Sequence, residues 1–273
     1  ALAWIRQSDD GLYRIEKTYV DSCSYNDALV QGYWGVNTYN STTDGDVVEF
    51  YRTLWPDAYN GDSAVQDFRA DADGYSLLSQ LGVRYLLSKD PIADSRFTLI
   101  NQVGSVYIYL NEGATPLLFT RETIMSEGDL QALPTDTARH IAALNAIIVP
   151  DDLATPSVEQ RPAELSSRLE LDGTDRIIGT VESSAATVSC LSLPYSSGWS
   201  VRIDGGEVET FRANLGFIGF EVPEGTHALE VSFSLPGLRQ GTMLSVAGIA
   251  LTAASCVVGA RVAAGRARRE SLD

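Results

Sequence analysis

The sequence predicts an α+β protein: a mixed α/β N-terminal domain, an all-β sandwich of about seven strands, and one C-terminal transmembrane helix. Three observations predict this fold class. The first part mixes β-forming runs with runs of helical spacing, the second repeats short β-rich runs, and the last contains a long uncharged run. The predicted organisation is 1–120 for the mixed domain, 121–165 for a helical segment and Pro-rich linker, 166–236 for the sandwich, 241–260 for the transmembrane helix and 261–273 for a basic cytoplasmic tail.

The mixed domain combines β-forming runs with two runs of helical spacing. In residues 45–55 four apolar residues fall on one helical face, and Pro56 ends the run. Gly82 ends a second, shorter helix, and Gly104 marks the turn of a hairpin. The predicted elements are, in order, a strand at 12–20, helices at 45–55 and 75–82, a strand at 83–88, a hairpin at 97–111 and a strand at 116–120.

The segment between the two domains is less regular. One helix is predicted at 137–149, and the proline-rich stretch 149–165 reads as a linker. From residue 166 onward, seven short β-rich runs alternate with turn residues, a rhythm that is typical of a β-sandwich. Asp204-Gly205 predicts a tight hairpin turn there. Trp199 follows another turn and is expected to pack between the two sheets.

The C-terminal run from Gly241 to Ala260 is 20 residues long and carries no charge. A helix of that length spans roughly 30 Å, the hydrocarbon thickness of a bilayer. Four arginines follow the run, and only Arg239 stands just before it. Because cytoplasmic flanks carry the excess of Lys and Arg, the sequence predicts a cytoplasmic C-terminus and extracytoplasmic residues 1–236 in the cell membrane. A buried core helix is the alternative, but such helices are usually shorter and keep a polar face.

The predicted extracytoplasmic part is strongly acidic. Residues 237–273 hold five arginines and two acids, so residues 1–236 keep 15 basic and 34 acidic residues. This charge argues against nucleic acid as a partner, although solubility alone also explains it. Export requires a cleaved signal or earlier spans, and the first residues have neither a basic start nor an apolar core. Small residues spaced four apart in the tail helix suit packing against neighbouring helices and favour earlier spans.

Few residues form a pattern that predicts chemistry. Common nucleophile, phosphate-loop and zinc-protease motifs are absent from the sequence, which therefore predicts no catalytic residue, no metal site and no cofactor. Asp71 and Asp73 match a calcium loop only in part, and a solvated acidic turn explains them as well. Cys23 and Cys190 could pair in an oxidising exterior, but nothing in their spacing requires it.

An aromatic run near the N-terminus is the best candidate for ligand contact. Tyr33, Trp34 and Tyr39 alternate with amides such as Asn37. Sugar rings stack on aromatic faces and hydrogen-bond to neighbouring amides, so we predict substrate contact at these four residues. Packing in the core or between domains is the commoner role of Tyr and Trp and is the alternative.

Several motifs of this sequence resemble those of the YfhO-like family of bacterial membrane proteins. They occur in the family's order and cover nearly the whole chain. In the second half they are Pro194-Tyr195, Gly198-Trp199, Asp204-Gly205, Asn214 with Gly216-Phe217, Pro223 with Gly225 and His227, and Pro236-Gly237 before the last span. In the first half they are YRIEK at 13–17, SYNDALVQGYWGVNTYNS at 24–41, LGVRYLLSK at 81–89 and VYIYLNEGATPLLF at 106–119.

The resemblance implies a polytopic protein that is similar in plan to GT-C glycosyltransferases. Such enzymes move a sugar from a polyprenyl-phosphate carrier to an acceptor polymer of the cell envelope. Their catalytic acid is expected in an early extracytoplasmic loop, so this region alone is not expected to catalyse. The implied partners are the upstream transmembrane helices of the same protein, an envelope glycopolymer acceptor, a lipid-linked sugar and the lipid bilayer. A membrane-anchored polysaccharide-binding module, or a purely structural one, is the alternative.

Overall fold

The computed structural model describes residues 1–19, 26–37, 45–54, 72–153 and 163–270. The chain divides into two compact units, Ala1–Ser232 and Phe233–Asp273. The helices described in the first unit are α1 (Leu2–Ser8), α2 (Asp27–Gln31), α3 (Gly45–Leu54), α4 (Ala72–Gln80), α5 (Glu127–Gln131) and α6 (Asp136–Asn145), with a 3-10 turn at Asp151–Leu153. The strands up to residue 149 are β1 (Arg14–Lys17), β2 (Val83–Ser88), β3 (Phe97–Val103), β4 (Val106–Asn111), β5 (Leu118–Thr120), β6 (Thr123–Ser126) and β7 (Ala146–Val149).

A four-stranded sheet in the order β1-β2-β4-β3 forms the centre of the N-terminal part. Strands β1 and β2 are parallel, while β4 is antiparallel to both of its neighbours. The predicted hairpin is confirmed, with Gly104 at φ 62° in its turn. Gly82, at φ 74°, ends the α4 region, and a Cβ at this position would meet the Thr115 carbonyl at 2.8 Å. Glycine therefore satisfies both the backbone conformation and the close approach of the next segment.

The predicted helix at 45–55 is confirmed as α3. Phe50, Tyr51 and Leu54 are buried along one face, as the spacing indicates. They belong to a core cluster that also contains Ile147 and Phe217. Side chains from the N-terminal part and from the following β-rich region thus share one core.

The helix predicted at 137–149 is shorter than expected. Helix α6 ends at Asn145, and the residues after it form β7, which pairs in parallel with β6. All four residues of β7 are buried, and three of them are β-branched, which favours a strand packed on both faces. The Ile148 N–H donates to the Asn214 side-chain oxygen at 2.7 Å, and its carbonyl accepts the Asn214 N–H at 2.8 Å. This tertiary pairing overrides the local helical spacing.

The β-rich region is a sandwich of two sheets, which confirms the predicted fold class. Eight strands are described after residue 163: β8 (Leu165–Leu171), β9 (Arg176–Ser183), β10 (Thr187–Pro194), β11 (Trp199–Ile203), β12 (Gly206–Val208), β13 (Phe211–Ala213), β14 (Phe217–Val222) and β15 (Gly225–Phe233). One sheet has the order β13-β14-β10-β5 and the other β12-β11-β15-β9-β8. One of the seven β-rich runs, at residues 207–213, is divided between β12 and β13, which lie in different sheets. The first sheet also recruits β5 from outside the range predicted for the sandwich.

Apolar side chains of the two sheets form a single core cluster. Phe220, Leu191 and Val201 are among its fully buried members. Trp199 packs against this cluster from a partly exposed position, and its indole N–H donates to the Pro194 carbonyl at 3.0 Å. Cys190 lies buried in β10 as a free thiol, whereas Cys23 lies outside the described residues.

The second unit contains one long helix, α7 (Leu238–Glu270). Its segment Leu238–Ala264 is long and apolar enough to cross a membrane, and none of it is buried within the protein. The hydroxyl of Thr252 donates to the Gly248 carbonyl at 2.9 Å, so this polar group is satisfied within the helix. The helix contains the predicted span 241–260 and extends beyond both of its ends.

Two turns of the sandwich are joined by a histidine. Asp204 and Gly205 have φ of 51° and 80° and form the predicted tight turn between β11 and β12. The Nδ1 atom of His227 lies 2.7 Å from Oδ2 of Asp204, and its Nε2 atom lies 3.1 Å from the Glu224 carbonyl. Both partners are hydrogen-bond acceptors, so this arrangement favours the doubly protonated ring, in which both nitrogens donate. The hydrogen bond to Asp204 raises the pKa of His227, and the same bond lowers the pKa of Asp204.

The contribution of this pair to stability is expected to depend on pH. A raised histidine pKa stabilises the fold fully below the ordinary value of 6.5, and this contribution is lost as the pH rises through the folded-state pKa. The lowered pKa of Asp204 adds stability above its ordinary value of 3.8, which is lost as the pH falls. Urea unfolding of wild type and His227→Gln at a series of pH values measures the contribution of the His227–Asp204 pair to stability. The difference in unfolding free energy should be largest at about pH 4–6.5 and shrink above it, and a difference that is flat to pH 9 would contradict the assignment.

Candidate functional site

The candidate site is the segment of residues 33–37, which follows α2 and contains three of the four residues predicted to contact substrate. Gly32, at φ 67°, ends α2 in the left-handed conformation and redirects the chain. The Arg6 guanidinium donates to the carbonyls of Gln31 and Gly32 at 3.0 and 2.6 Å. These bonds satisfy the end of α2 and fix the point from which the segment starts. We call residues 33–37 the aromatic segment.

Strand β1 holds the aromatic segment along its free edge. The Ile15 N–H donates to the Trp34 carbonyl at 2.8 Å. The Glu16 carboxylate accepts the N–H groups of Val36 and Asn37 at 2.9 and 3.0 Å. Its other oxygen accepts the Lys17 N–H at 2.9 Å. A single side chain therefore supplies the acceptors that the segment would otherwise have to find in water.

Glu16 is buried, with 3% of its surface exposed. Burial raises the pKa of this carboxyl, while the N–H donors of Lys17, Val36 and Asn37 oppose that shift. Because a buried carboxylate is costly without such partners, the segment and the carboxylate stabilise one another.

Lys17 links the same strand to α2. Its Nζ lies 2.7 Å from the Gln31 amide oxygen and 3.5 Å from Oδ2 of Asp27. The ammonium also lies 5.5 Å from the centres of the Tyr19 and Tyr33 rings, within the range of cation–π attraction. Lys17 and Asp27 are both buried, so losing either would leave an uncompensated charge in the interior.

Arg14 connects β1 to the sandwich. Its guanidinium donates to the Leu81 carbonyl and to both the hydroxyl and the carbonyl of Ser192 in β10. Burial lowers the pKa of Arg14 to about 10. Three of the four residues of β1 are thus charged and buried, each with a different set of partners. Sequence reasoning identified the strand but missed this role, because alternation in a run such as RIEK does not reveal that both faces are covered.

The structure brings Tyr33, Trp34 and Asn37 together and gives each a different environment. Tyr33 packs against the cluster that contains Ile5 and Tyr85, and Trp34 packs against the sandwich core. Asn37 is held through its backbone by Glu16. All three remain partly exposed, so the segment can present ring faces to a ligand, while the Asn37 amide oxygen is buried. Tyr39 lies outside the described residues.

Other acidic residues come together around Arg212 of β13. Its guanidinium contacts both oxygens of Glu127 at 2.9 and 2.8 Å and Oδ1 of Asp46 at 3.0 Å. This cluster ties the N-terminal ends of α3 and α5 to the sandwich. Among the described residues no group of three or more His, Cys, Asp and Glu side chains is placed to hold a metal ion. The acids of this cluster are engaged in ion pairs with Arg212.

Several of the motifs that resemble the family have structural roles in this fold. Asn214, at φ 48°, pairs with Ile148, and a Cβ on Gly216 would lie 2.7 Å from the Asp46 carbonyl. Asp204 and His227 fasten two turns. These motif residues therefore fix turns and contacts between segments of the fold.

Together, these features define a membrane protein with an α+β region and one apolar C-terminal helix. In the α+β region, the charged and buried strand β1 ties the aromatic segment to the sandwich. A family profile described as bacterial membrane protein YfhO matches residues 2–168 and 159–245. The chain belongs to this family. It is 25% identical over 171 residues to a Bacillus subtilis (strain 168) protein described as uncharacterized protein YfhO. That alignment covers 61% of this chain and 19% of the relative. No solved structure matches the chain.

The carboxylate of Glu16 is expected to be essential for holding the aromatic segment. Glu16→Gln keeps the size of the side chain but turns an amide group toward N–H donors, and we expect a loss of about 2 kcal/mol in unfolding free energy. Urea unfolding followed by tryptophan fluorescence measures it. Glu182→Gln, an exposed position on β9, is the matched control and should change stability by less than about 0.5 kcal/mol. Equal effects of the two variants would show that the buried carboxylate does not hold the segment.

Proposed function

We propose that this chain is the extracytoplasmic C-terminal region and last transmembrane helix of a glycosyltransferase-like membrane protein that acts on cell-envelope polymers. In this proposal the region does not catalyse. It contacts the acceptor glycopolymer, while upstream transmembrane helices of the same protein hold the lipid-linked sugar. Family membership and the apolar helix support the membrane location. The sugar chemistry comes from the resemblance described above.

The observation that carries the proposal is the aromatic segment. Tyr33 and Trp34 are partly exposed rings on a backbone that Glu16 and Ile15 fix in place. Partly exposed aromatic rings on a fixed backbone suit stacking against sugar rings, because little conformational freedom is lost on binding. The Asn37 amide oxygen is buried, so in the proposal the two rings make the main contact. Tyr39, which the sequence also predicts to contact substrate, lies outside the described residues.

A binding module without any associated transferase is the second candidate. The ion pairs of Arg212 with Glu127 and Asp46 fit a region that binds without catalysing, which is common to both candidates. Both candidates require contact between the aromatic segment and a polysaccharide. They differ in the sequence that precedes Ala1: several membrane spans with an acid in an early outer loop support the transferase, and a lone signal peptide supports the module.

Substitution of Trp34 tests the acceptor contact in the full-length protein. Trp34→Ala is expected to lower sugar incorporation into the envelope polymer by about tenfold, since stacking contacts are worth roughly 1–2 kcal/mol. The assay follows a radiolabelled sugar from the lipid-linked donor into the polymer at matched protein levels.

Trp199→Ala is the matched control for this experiment. Trp199 is also partly exposed and packs against the same sandwich core as Trp34, so its loss should weaken packing without touching the acceptor surface. Transfer should then remain within twofold of wild type. If Trp34→Ala and Trp199→Ala reduce transfer equally, Trp34 acts by packing and the acceptor contact is wrong.

Thiol labelling tests the proposed orientation in whole cells. Glu207→Cys places a thiol on the exposed strand β12, and Ser271→Cys places one after α7. An impermeant maleimide should label the first variant above the parent's background and the second only after permeabilisation, because the arginines hold the tail inside. The opposite pattern would reverse the orientation and remove the acceptor role.

A further inference from the structure

A cleft lies between the N-terminal part and strand β8, and Glu16 is not among its lining residues. Its volume is about 310 Å³, which matches the lower end of ordinary ligand sites. Its walls include the hydroxyl-bearing residues Tyr13, Thr115 and Ser167. The full set of lining residues is Asp9, Gly11, Leu12, Tyr13, Gly82, Arg84, Ala114, Thr115, Pro116, Leu117, Ser167, Arg168 and Leu169.

The charged residues of the cleft are one acid and two bases. Asp9 accepts from the Arg84 Nε at 2.8 Å and from the Tyr85 hydroxyl at 2.7 Å. Its other oxygen accepts the Gly11 N–H at 2.9 Å. The acid is thus fully engaged, whereas half of the Arg84 side chain stays exposed. The pair positions the Arg84 guanidinium on the wall of the cleft.

Arg168 is the second base of the cleft, and its positive charge is not neutralised by Asp9. It lies exposed on β8 and forms no ion pair within the part of the chain that the structure describes. Strand β9 lies directly against the backbone of Arg168, so close that a Cβ on Gly179 would lie only 2.0 Å from the Arg168 carbonyl. Only glycine permits this approach of β9 to β8.

A third arginine lies behind the wall. Gly82 lines the cleft, and a Cβ at this position would lie 3.8 Å from the buried guanidinium of Arg14. Arg14 has carbonyl and hydroxyl partners from Leu81 and Ser192. Its charge therefore adds to that of Arg84 and Arg168, through a region of low dielectric.

We propose that this cleft binds an oxyanion, a phosphate or carboxylate group, carried by a ligand about the size of one sugar ring. The cleft carries more positive than negative charge, whereas residues 1–236 as a whole are strongly negative, with 34 acids and 15 bases. Guanidinium groups match the planar oxygens of phosphate and carboxylate. The Ser167 hydroxyl can bond the rest of such a ligand. The Tyr13 hydroxyl donates to the Asp9 carbonyl and the Thr115 hydroxyl accepts from Arg121, so Tyr13 can still accept and Thr115 can still donate. The inference does not rest on the aromatic segment.

Calorimetric titration of the whole chain in neutral phosphatidylcholine nanodiscs tests the proposal at low salt. The probes are glucose 6-phosphate, glucuronate and uncharged glucose. The two charged sugars should bind, and glucose should bind at least about tenfold more weakly, because the arginines recognise the charged group. Added salt should weaken the binding of the charged probes.

Arginine variants locate the binding. Arg168→Gln should weaken the binding of the charged probes by at least about tenfold, while Arg202→Gln, an exposed position on β11 of the same sheet, should leave it within twofold. Equal effects of the two variants, or equal binding of glucose and its phosphate, would overturn the proposal. The unfolding midpoint of each variant in urea confirms that it is folded. Trp34→Ala should not alter this binding, so the cleft and the aromatic segment can fail independently.

A change in the lipid composition of the nanodiscs shows whether the oxyanion comes from a lipid headgroup or from another ligand. Nanodiscs with 30% phosphatidylglycerol present anionic headgroups beside the protein. If these discs abolish binding of glucose 6-phosphate and Arg168→Gln no longer shows a difference, the headgroup occupies the cleft. Unchanged binding in these discs, with Arg168→Gln still weakening it, identifies a soluble or polymer-borne anion as the ligand.

Discussion

The first unit depends on charges buried in strand β1. Arg14, Glu16 and Lys17 are each buried, and each ties a different part of the chain to the strand: the sandwich, the aromatic segment and α2. A buried charge is costly unless its partners are in place, so these three segments must assemble together. The strand is only four residues long, and its importance comes from these partners rather than from the ladder it shares with β2.

The aromatic segment lies where the core clusters meet. Tyr33 packs on the cluster around Ile5, Trp34 packs on the sandwich core, and Val36 packs against two further clusters. Packing is therefore part of the role of these rings, as the sequence left open. It also makes the segment rigid, which is what a binding surface for sugar rings requires. The two roles are compatible in one segment, and the Trp34 and Trp199 positions offer a way to separate them, because both rings pack against the same core.

Most acids and bases that the fold brings together neutralise each other. Arg212 engages Glu127 and Asp46, and Asp204 engages His227. The cleft beside β8 differs, because Asp9 balances only one of its two arginines. In a chain whose surface is mostly acidic, such a site attracts small anions and repels basic partners. It also lies at the junction of the N-terminal part with the sandwich, a common place for ligand sites.

The fold class, most of the element positions and the apolar span could be predicted from local sequence patterns, because periodicity and turn chemistry are local. Alternation predicted β1, helical spacing predicted α3, and Asp204-Gly205 predicted its turn. Tertiary structure decided the rest. Residues 146–149 became a strand because β6 and Asn214 supply its partners, and β5 joined a sheet formed by strands far along the chain. The burial of Glu16 and the placement of Arg84 and Arg168 around one cleft depend on contacts between distant segments, which no local pattern encodes.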